Sequence, residues 1–114
     1  MKQRKLGASG PDVSAFGLGC MSFGGLTGPT TQADSFAALD RAWEMGITHF
    51  DTANVYGPHI SEDVLGQWIA NRKHHVSVAT KASITRDLSH PVKNDPAYLN
   101  TELEASFRRL GVDY

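Results

Sequence analysis

The stretch on which the fold depends is Gly-Ile-Thr-His-Phe-Asp-Thr-Ala-Asn-Val-Tyr-Gly, residues 46–57. It opens with Gly46, a residue type that ends helices, and continues with the β-favouring run of residues 47–50. A carboxylate follows at Asp51, and then a polar loop that carries Tyr56. Because α/β proteins present reactive groups at the carboxyl ends of parallel strands, this stretch predicts a strand that leads into a functional loop.

A second strand of this kind is predicted at residues 76–81, and it ends in Lys81. Asp51, Tyr56 and Lys81 would then face the same rim. An ammonium group favours the ionised form of a nearby phenol, and a carboxylate keeps the ammonium charged and in position. The three residue types can therefore relay a proton. The alternative is that Asp51 caps a turn, Tyr56 packs on a loop and Lys81 is solvated.

The N-terminal third predicts a small hairpin and a first core strand. Two short extended pieces, residues 4–7 and 13–16, flank a turn rich in Gly, Pro and Asp at residues 8–12. The first core strand is predicted at residues 15–19. A glycine-rich loop is expected over residues 20–30.

Three helices are predicted from their start signals. Thr31 with Asp34 forms a capping box, Ser61 is a cap for the second helix, and Asp95 followed by Pro96 opens the third. Residues 112–114 resemble the start of a further strand. Strands and helices thus alternate, which predicts an α/β fold with parallel strands and right-handed crossovers.

Composition indicates one small globular domain. The 114 residues carry a formal net charge of −1, which gives no electrostatic reason to expect nucleic acid or a membrane surface as a partner. The single cysteine, Cys20, excludes a disulfide framework and favours the cytoplasm. The uncharged residues 13–33 contain too many Gly, Ser and Thr for a membrane helix, and we expect no signal peptide.

Two further features carry little chemistry. His74 and His75 would point to opposite sides of a strand, and no Cys or acidic residue has ligand spacing to them, so no metal site is predicted. Gly17 and Gly19 lack the third glycine and the following helix of a dinucleotide-binding fingerprint. His59, close behind Tyr56, is either a substrate-pocket residue or a solvated loop residue.

The motifs taken together resemble those of the aldo-keto reductases. Residues 51–57, followed by Ser-Glu-Asp-Val-Leu-Gly at 61–66, look like the signature of that family. Residues 17–21 are similar to the end of its first strand, residues 78–81 to its lysine strand, and residues 106–114 to the helix before its fourth strand. The resemblance runs from about residue 4 to residue 114.

The resemblance implies a (β/α)8 barrel that binds NADP(H) and reduces a small carbonyl substrate to an alcohol. Tyr56 would donate the proton, assisted by Lys81 and Asp51. Cys20, Met21 and Asp51 match positions that approach the cofactor, although many relatives have Thr where Cys20 stands. Cys20 is otherwise a buried small hydrophobic residue.

The resemblance also implies that the barrel is incomplete. About three βα units after a hairpin, in a single partial domain over residues 1–114, are too few for a barrel of about 250 residues. The family's catalytic histidine would lie just past Tyr114. We therefore expect an N-terminal fragment. The alternative is a non-catalytic, partner-binding or regulatory module related to channel β subunits, and self-association through the open sheet edge is a further expectation.

Overall fold

The structure, a computed structural model, describes residues 1–112. The elements in chain order are β1 (Gln3–Lys5), β2 (Asp12–Ser14), β3 (Leu18–Gly19), a 3₁₀ helix (Met21–Gly24), α1 (Gln32–Glu44), β4 (His49–Asp51), α2 (Ile60–Arg72), β5 (Ser77–Ala79) and α3 (Pro96–Leu110). β1 and β2 form an antiparallel hairpin, while β3, β4 and β5 form a parallel sheet in that order. The predicted α/β fold and its hairpin are confirmed.

The register of the sheet brings the strand ends together. Gly19 in β3 lies opposite Asp51 in β4, and Asp51 lies opposite Ala79 in β5. The three strands therefore end at the same level. The loops that follow them start side by side on one rim.

Two of the helices begin at the predicted residues. The Thr31 side chain accepts a hydrogen bond from the backbone N–H of Asp34, and the carboxylate of Asp34 accepts from the backbone of Thr31, which completes the capping box of α1. At α3, the Asp95 side chain accepts from the backbone N–H of Tyr98, and Pro96 is the first helical residue. These starts depend on neighbours in sequence only.

The predicted start of α2 is wrong. The helix begins at Ile60, and the preceding residue is His59, which has a left-handed backbone (φ 67°) and makes no side-chain cap. Ser61 lies inside the first turn, where its hydroxyl donates to the backbone oxygen of Cys20. Because the Ser61 hydroxyl bonds to Cys20 in the loop after β3, it does not cap the helix. The glycine-rich segment after β3 is also not loop throughout, because it contains the 3₁₀ helix.

The core lies between the sheet and α1 and α2. Leu39, Phe50, Leu65 and Trp68 have no exposed surface. The indole N–H of Trp68 donates to Asp40 at 2.8 Å, so its polar atom is satisfied at the edge of the core.

None of the helices within residues 1–112 combines the length and the apolarity needed to cross a membrane.

The edge of the sheet at β5 stays open in the described part of the chain. β5 pairs with β4 on one side, and beside it and α3 lies a groove of about 760 Å³ whose lining includes Val76, Val78 and Phe107. Three parallel strands cannot close a barrel, as predicted. The fourth strand expected at residues 112–114 falls largely outside the described residues. Self-association through this edge stays a prediction.

Candidate active site

Asp51 and Lys81 meet at the carboxyl ends of β4 and β5. Asp51 is the last residue of β4, and Lys81 lies two residues beyond the end of β5. Lys81 Nζ donates to Asp51 Oδ1 at 2.5 Å and to the backbone oxygen of Thr52 at 2.8 Å. The ammonium is thus fixed by two acceptors on the neighbouring strand end.

Tyr56 completes the cluster from the loop after β4. This loop runs alongside the end of β5 and is hydrogen-bonded to it. The backbone N–H of Thr52 donates to the oxygen of Ala79, and that of Asn54 donates to the oxygen of Lys81. Lys81 Nζ lies 5.3 Å from the centroid of the Tyr56 ring. The structure therefore brings the three side chains together in one cluster on the rim.

The charge of Lys81 is maintained by its neighbours. Its side chain is 49% exposed and that of Asp51 is 44% exposed, so both are open to solvent and to a ligand. Partial burial lowers the pKa of Lys81, but the hydrogen bond and charge of Asp51, with smaller contributions from Tyr56, outweigh it and raise the pKa above its ordinary value. The ammonium form persists throughout the neutral range.

Cys20 lies beneath this cluster rather than in it. The residue has no exposed surface, and its Sγ is 3.6 Å from the backbone oxygen of Leu18. Burial, with a smaller effect from the charge of Asp51, raises the pKa of the thiol to about 12. A fully buried side chain has no surface for a cofactor. This placement favours the alternative, in which Cys20 is a small buried hydrophobic residue.

Met21 and Asp51, the other two residues expected near a cofactor, lie on the accessible rim. Met21 begins the 3₁₀ helix and is 43% exposed. The backbone N–H of Cys20, the residue before Met21, donates to the backbone oxygen of Asp51 at 2.8 Å. This hydrogen bond holds Met21 close to Asp51. Together they present an apolar chain and a carboxylate.

Buried hydrogen bonds below the rim support the cluster, and no sequence pattern predicts their partners. Thr52 Oγ1 and Ser61 Oγ are 2.9 Å apart, and Ser61 Oγ donates to the backbone oxygen of Cys20. Thr80, the residue before Lys81, donates to Glu62 Oε1 at 2.6 Å. The sequence shows only that these polar residues stand among apolar ones, and this pattern does not identify their hydrogen-bond partners.

The histidines lie outside the cluster. His59 is exposed and lines a cleft of about 180 Å³ between the Tyr56 loop and the start of α3, a cleft whose lining does not include Tyr56. His74 stacks on Trp43 with ring centroids 3.9 Å apart, at the opposite end of the sheet. Among residues 1–112, no three His, Cys, Asp or Glu side chains are grouped as a metal ion requires.

The family model described as "Aldo/keto reductase family" matches residues 15–114. An uncharacterized oxidoreductase of Bacillus subtilis, YqkF, is 40% identical over the whole chain, which spans 37% of that protein.

Solved structures show the same fold. The chain superposes with a TM-score of 0.82 on the holo form of aldo-keto reductase AKR11C1 from Bacillus halodurans, at 32% identity, and spans 38% of it. It superposes with a TM-score of 0.76 on glycerol dehydrogenase AKR11B4 from Gluconobacter oxydans, at 31% identity, covering 96% of this chain and 36% of that one. With a family model over most of its length, an Asp–Tyr–Lys cluster on the rim and relatives that are oxidoreductases, the chain belongs to the aldo/keto reductase family.

Proposed function

We propose that the protein carrying this chain reduces an aldehyde or ketone to an alcohol with NADP(H), and that Tyr56 is the proton donor. The observation that supports this most directly is the position of Lys81, held by Asp51 and placed 5.3 Å from the Tyr56 ring. A phenol that gives up its proton becomes an anion, and an adjacent fixed cation stabilises that anion.

The rim residues are suited to the ribose end of a nicotinamide cofactor. Asp51 uses Oδ1 for Lys81, and within residues 1–112 its Oδ2 accepts no side-chain hydrogen bond, so that oxygen is available to a ribose hydroxyl. Met21 offers exposed apolar surface beside it. NADPH, when bound, supplies a hydride to the carbonyl carbon. Cys20 is not included in this proposal, because it is buried.

The chain's own residues handle the proton. As the carbonyl carbon is reduced, negative charge develops on the carbonyl oxygen, and the Tyr56 hydroxyl donates its proton there. The Lys81 ammonium stabilises the resulting phenolate and does not itself lose a proton, because Asp51 raises its pKa. Asp51 therefore acts on the reaction through Lys81. The carbonyl oxygen stays bonded to its carbon and becomes the hydroxyl of the alcohol product.

The test is a comparison of two tyrosine variants in the full-length protein. We expect Tyr56→Phe to lower kcat for the NADPH-dependent reduction of benzaldehyde by at least about 100-fold, the scale of general acid catalysis. Tyr98→Phe is the matched control, because Tyr98 is also half-buried and also lies near a lysine, Lys93. It should keep its activity.

Two outcomes would overturn the proposal. If Tyr56→Phe retains more than half of the wild-type kcat, Tyr56 is not the proton donor. If the wild-type protein binds NADPH, followed by the change in nucleotide fluorescence, but turns over neither aldehydes nor ketones, the nucleotide-binding regulatory alternative replaces the enzyme.

A further inference from the structure

The loop that carries Tyr56 crosses the 3₁₀ helix at two glycines. Gly24 is the last residue of that helix, and Gly57 directly follows Tyr56. A Cβ at Gly24 would lie 2.5 Å from the carbonyl carbon of Tyr56 and 2.5 Å from the nitrogen of Gly57. A Cβ at Gly57 would collide with the backbone of Gly24 in the same way. The two backbones touch with no room for any side chain between them.

The same stretch of backbone is held from its other sides. The N–H of Tyr56 donates to Ala53 at 3.2 Å, and the oxygen of Tyr56 accepts from the N–H of Ser61 at 3.1 Å. Lys81 is fixed by Asp51 and by the oxygen of Thr52, and its backbone oxygen accepts from the N–H of Asn54, so the first part of the loop is tied to Lys81. The later part, at Tyr56 and Gly57, lies against the 3₁₀ helix, and the distance between the Tyr56 phenol and Lys81 therefore depends on this contact as well.

The glycines in this segment are not equivalent. Gly25 and Gly28 have left-handed backbones, with φ of 77° and 133°, and a Cβ at either would meet nothing closer than 3.8 Å. They serve the turn, as the sequence suggests. Gly24 has an ordinary φ and no space, so the need for glycine there is steric and comes from the Tyr56 loop.

We propose that Gly24 and Gly57 are positioning residues for Tyr56, and that their contact sets the place of the phenol relative to the Lys81 ammonium. Neither glycine has a side chain to touch the substrate, so both act through Tyr56. The inference rests on the proposed function, since it concerns the reaction only if Tyr56 is the proton donor. A displacement of about 1 Å in a catalytic group can cost about 100-fold in rate.

The cleanest test is Gly24→Ala in the full-length protein. Alanine suits the φ of Gly24, so the added methyl group acts only by pushing the Tyr56 loop, whereas alanine at Gly57 would add backbone strain (φ 77°). We expect kcat to fall at least about tenfold while KM for NADPH changes less than twofold. Gly66→Ala is the matched control, because its Cβ would also strike backbone, at Arg109 in α3. It should lower Tm yet leave kcat of the folded protein within twofold.

A double variant separates positioning from general loosening. In the Tyr56→Phe background there is no hydroxyl to misplace, so adding Gly24→Ala should leave the residual kcat within about twofold. An equal tenfold loss in both backgrounds would overturn the inference, as would a Gly24→Ala protein with wild-type kcat. If Tyr56→Phe itself remains active, the proposed function fails instead, so the two failures are distinguishable.

If Gly24→Ala does not fold, Phe23→Leu takes its place. Phe23 is buried and packs the 3₁₀ helix against the core. The smaller leucine side chain weakens this packing, and with it the support that the 3₁₀ helix gives the Tyr56 loop, while both glycines stay unchanged. We expect kcat to fall at least threefold without a matching change in KM for NADPH. A wild-type kcat in the folded Phe23→Leu protein would overturn the inference.

Discussion

Arg109 in α3 donates from Nε to the Oε2 of Glu62 in α2, at 2.5 Å, although Glu62 has no exposed surface. The other carboxylate oxygen of Glu62 accepts from Thr80, immediately before Lys81. One buried carboxylate thus connects two helices to the strand end that carries the candidate lysine. A buried charge is tolerated because each of its oxygens has a donor.

Removing Arg109 should therefore be costly. We expect Arg109→Ala to lower the free energy of unfolding by about 3–5 kcal/mol, because it leaves the buried Glu62 carboxylate without its cation. Urea denaturation measures this difference. Arg108→Ala is the control, since Arg108 is the adjacent, exposed arginine on the same helix and its removal should cost less than about 0.5 kcal/mol. Equal losses of unfolding free energy in the two variants would contradict the role of Arg109 as the partner of the buried Glu62 carboxylate.

Replacing Asp51 should lower the pKa of Lys81. In Asp51→Asn the charge that raises this pKa is gone, while the partial burial that lowers it remains. An NMR titration of the Lys81 side chain measures the change. The raised pKa also means that the ion pair stabilises the fold at neutral pH and that this stability is lost as pH rises through the folded pKa.

The control for this experiment is Asp63→Asn, an exposed carboxylate in the first turn of α2. It should leave the Lys81 titration unchanged. An Asp51→Asn protein whose lysine titrates as in the wild type would show that the Asp51 contact is not maintained in solution.

Asp40 should make stability depend on acid pH. Hydrogen bonds from Arg72 and then from the Trp68 indole hold the pKa of Asp40 at about 2. A carboxylate with a depressed pKa stabilises the fold above its ordinary pKa, near 4, and this contribution is lost as pH falls towards 2.

The comparison is with Asp40→Asn, followed by thermal denaturation across this pH range. Because a third of the Asp40 side chain is exposed, we expect an advantage of only about 1 kcal/mol for the wild type above pH 4. The advantage should shrink as pH approaches 2. A difference that stays constant over the whole range contradicts the prediction.

The Cys20 thiol should be inert in the folded protein. With a pKa of about 12 and no exposed surface, it is not available as a thiolate at pH near 8. We expect iodoacetamide to leave the Cys20 peptide unmodified under native conditions and to alkylate it in urea, as read by mass spectrometry. Alkylation at equal rates in both conditions would show that the segment after β3 opens readily.

The features that could be predicted from sequence are those that depend on near neighbours. The caps of α1 and α3 involve residues three apart, Thr31 with Asp34 and Asp95 with Tyr98, and both were predicted correctly. The cap of α2 was not, because the Ser61 hydroxyl bonds to Cys20, 41 residues away. The first core strand, β3, is shorter than the predicted residues 15–19, because only Leu18 and Gly19 pair with β4.

The sequence by itself determined that Asp51 and Lys81 would share a rim, because parallel strands joined by right-handed crossovers must end on the same side of a sheet. Tertiary structure alone decided the rest of the site. The Cys20 side chain has no exposed surface, and the pairing of Glu62 with Arg109 joins residues 47 apart. The backbone contact between Gly24 and Gly57 follows from how closely two loops approach, a distance that no local pattern of residues encodes.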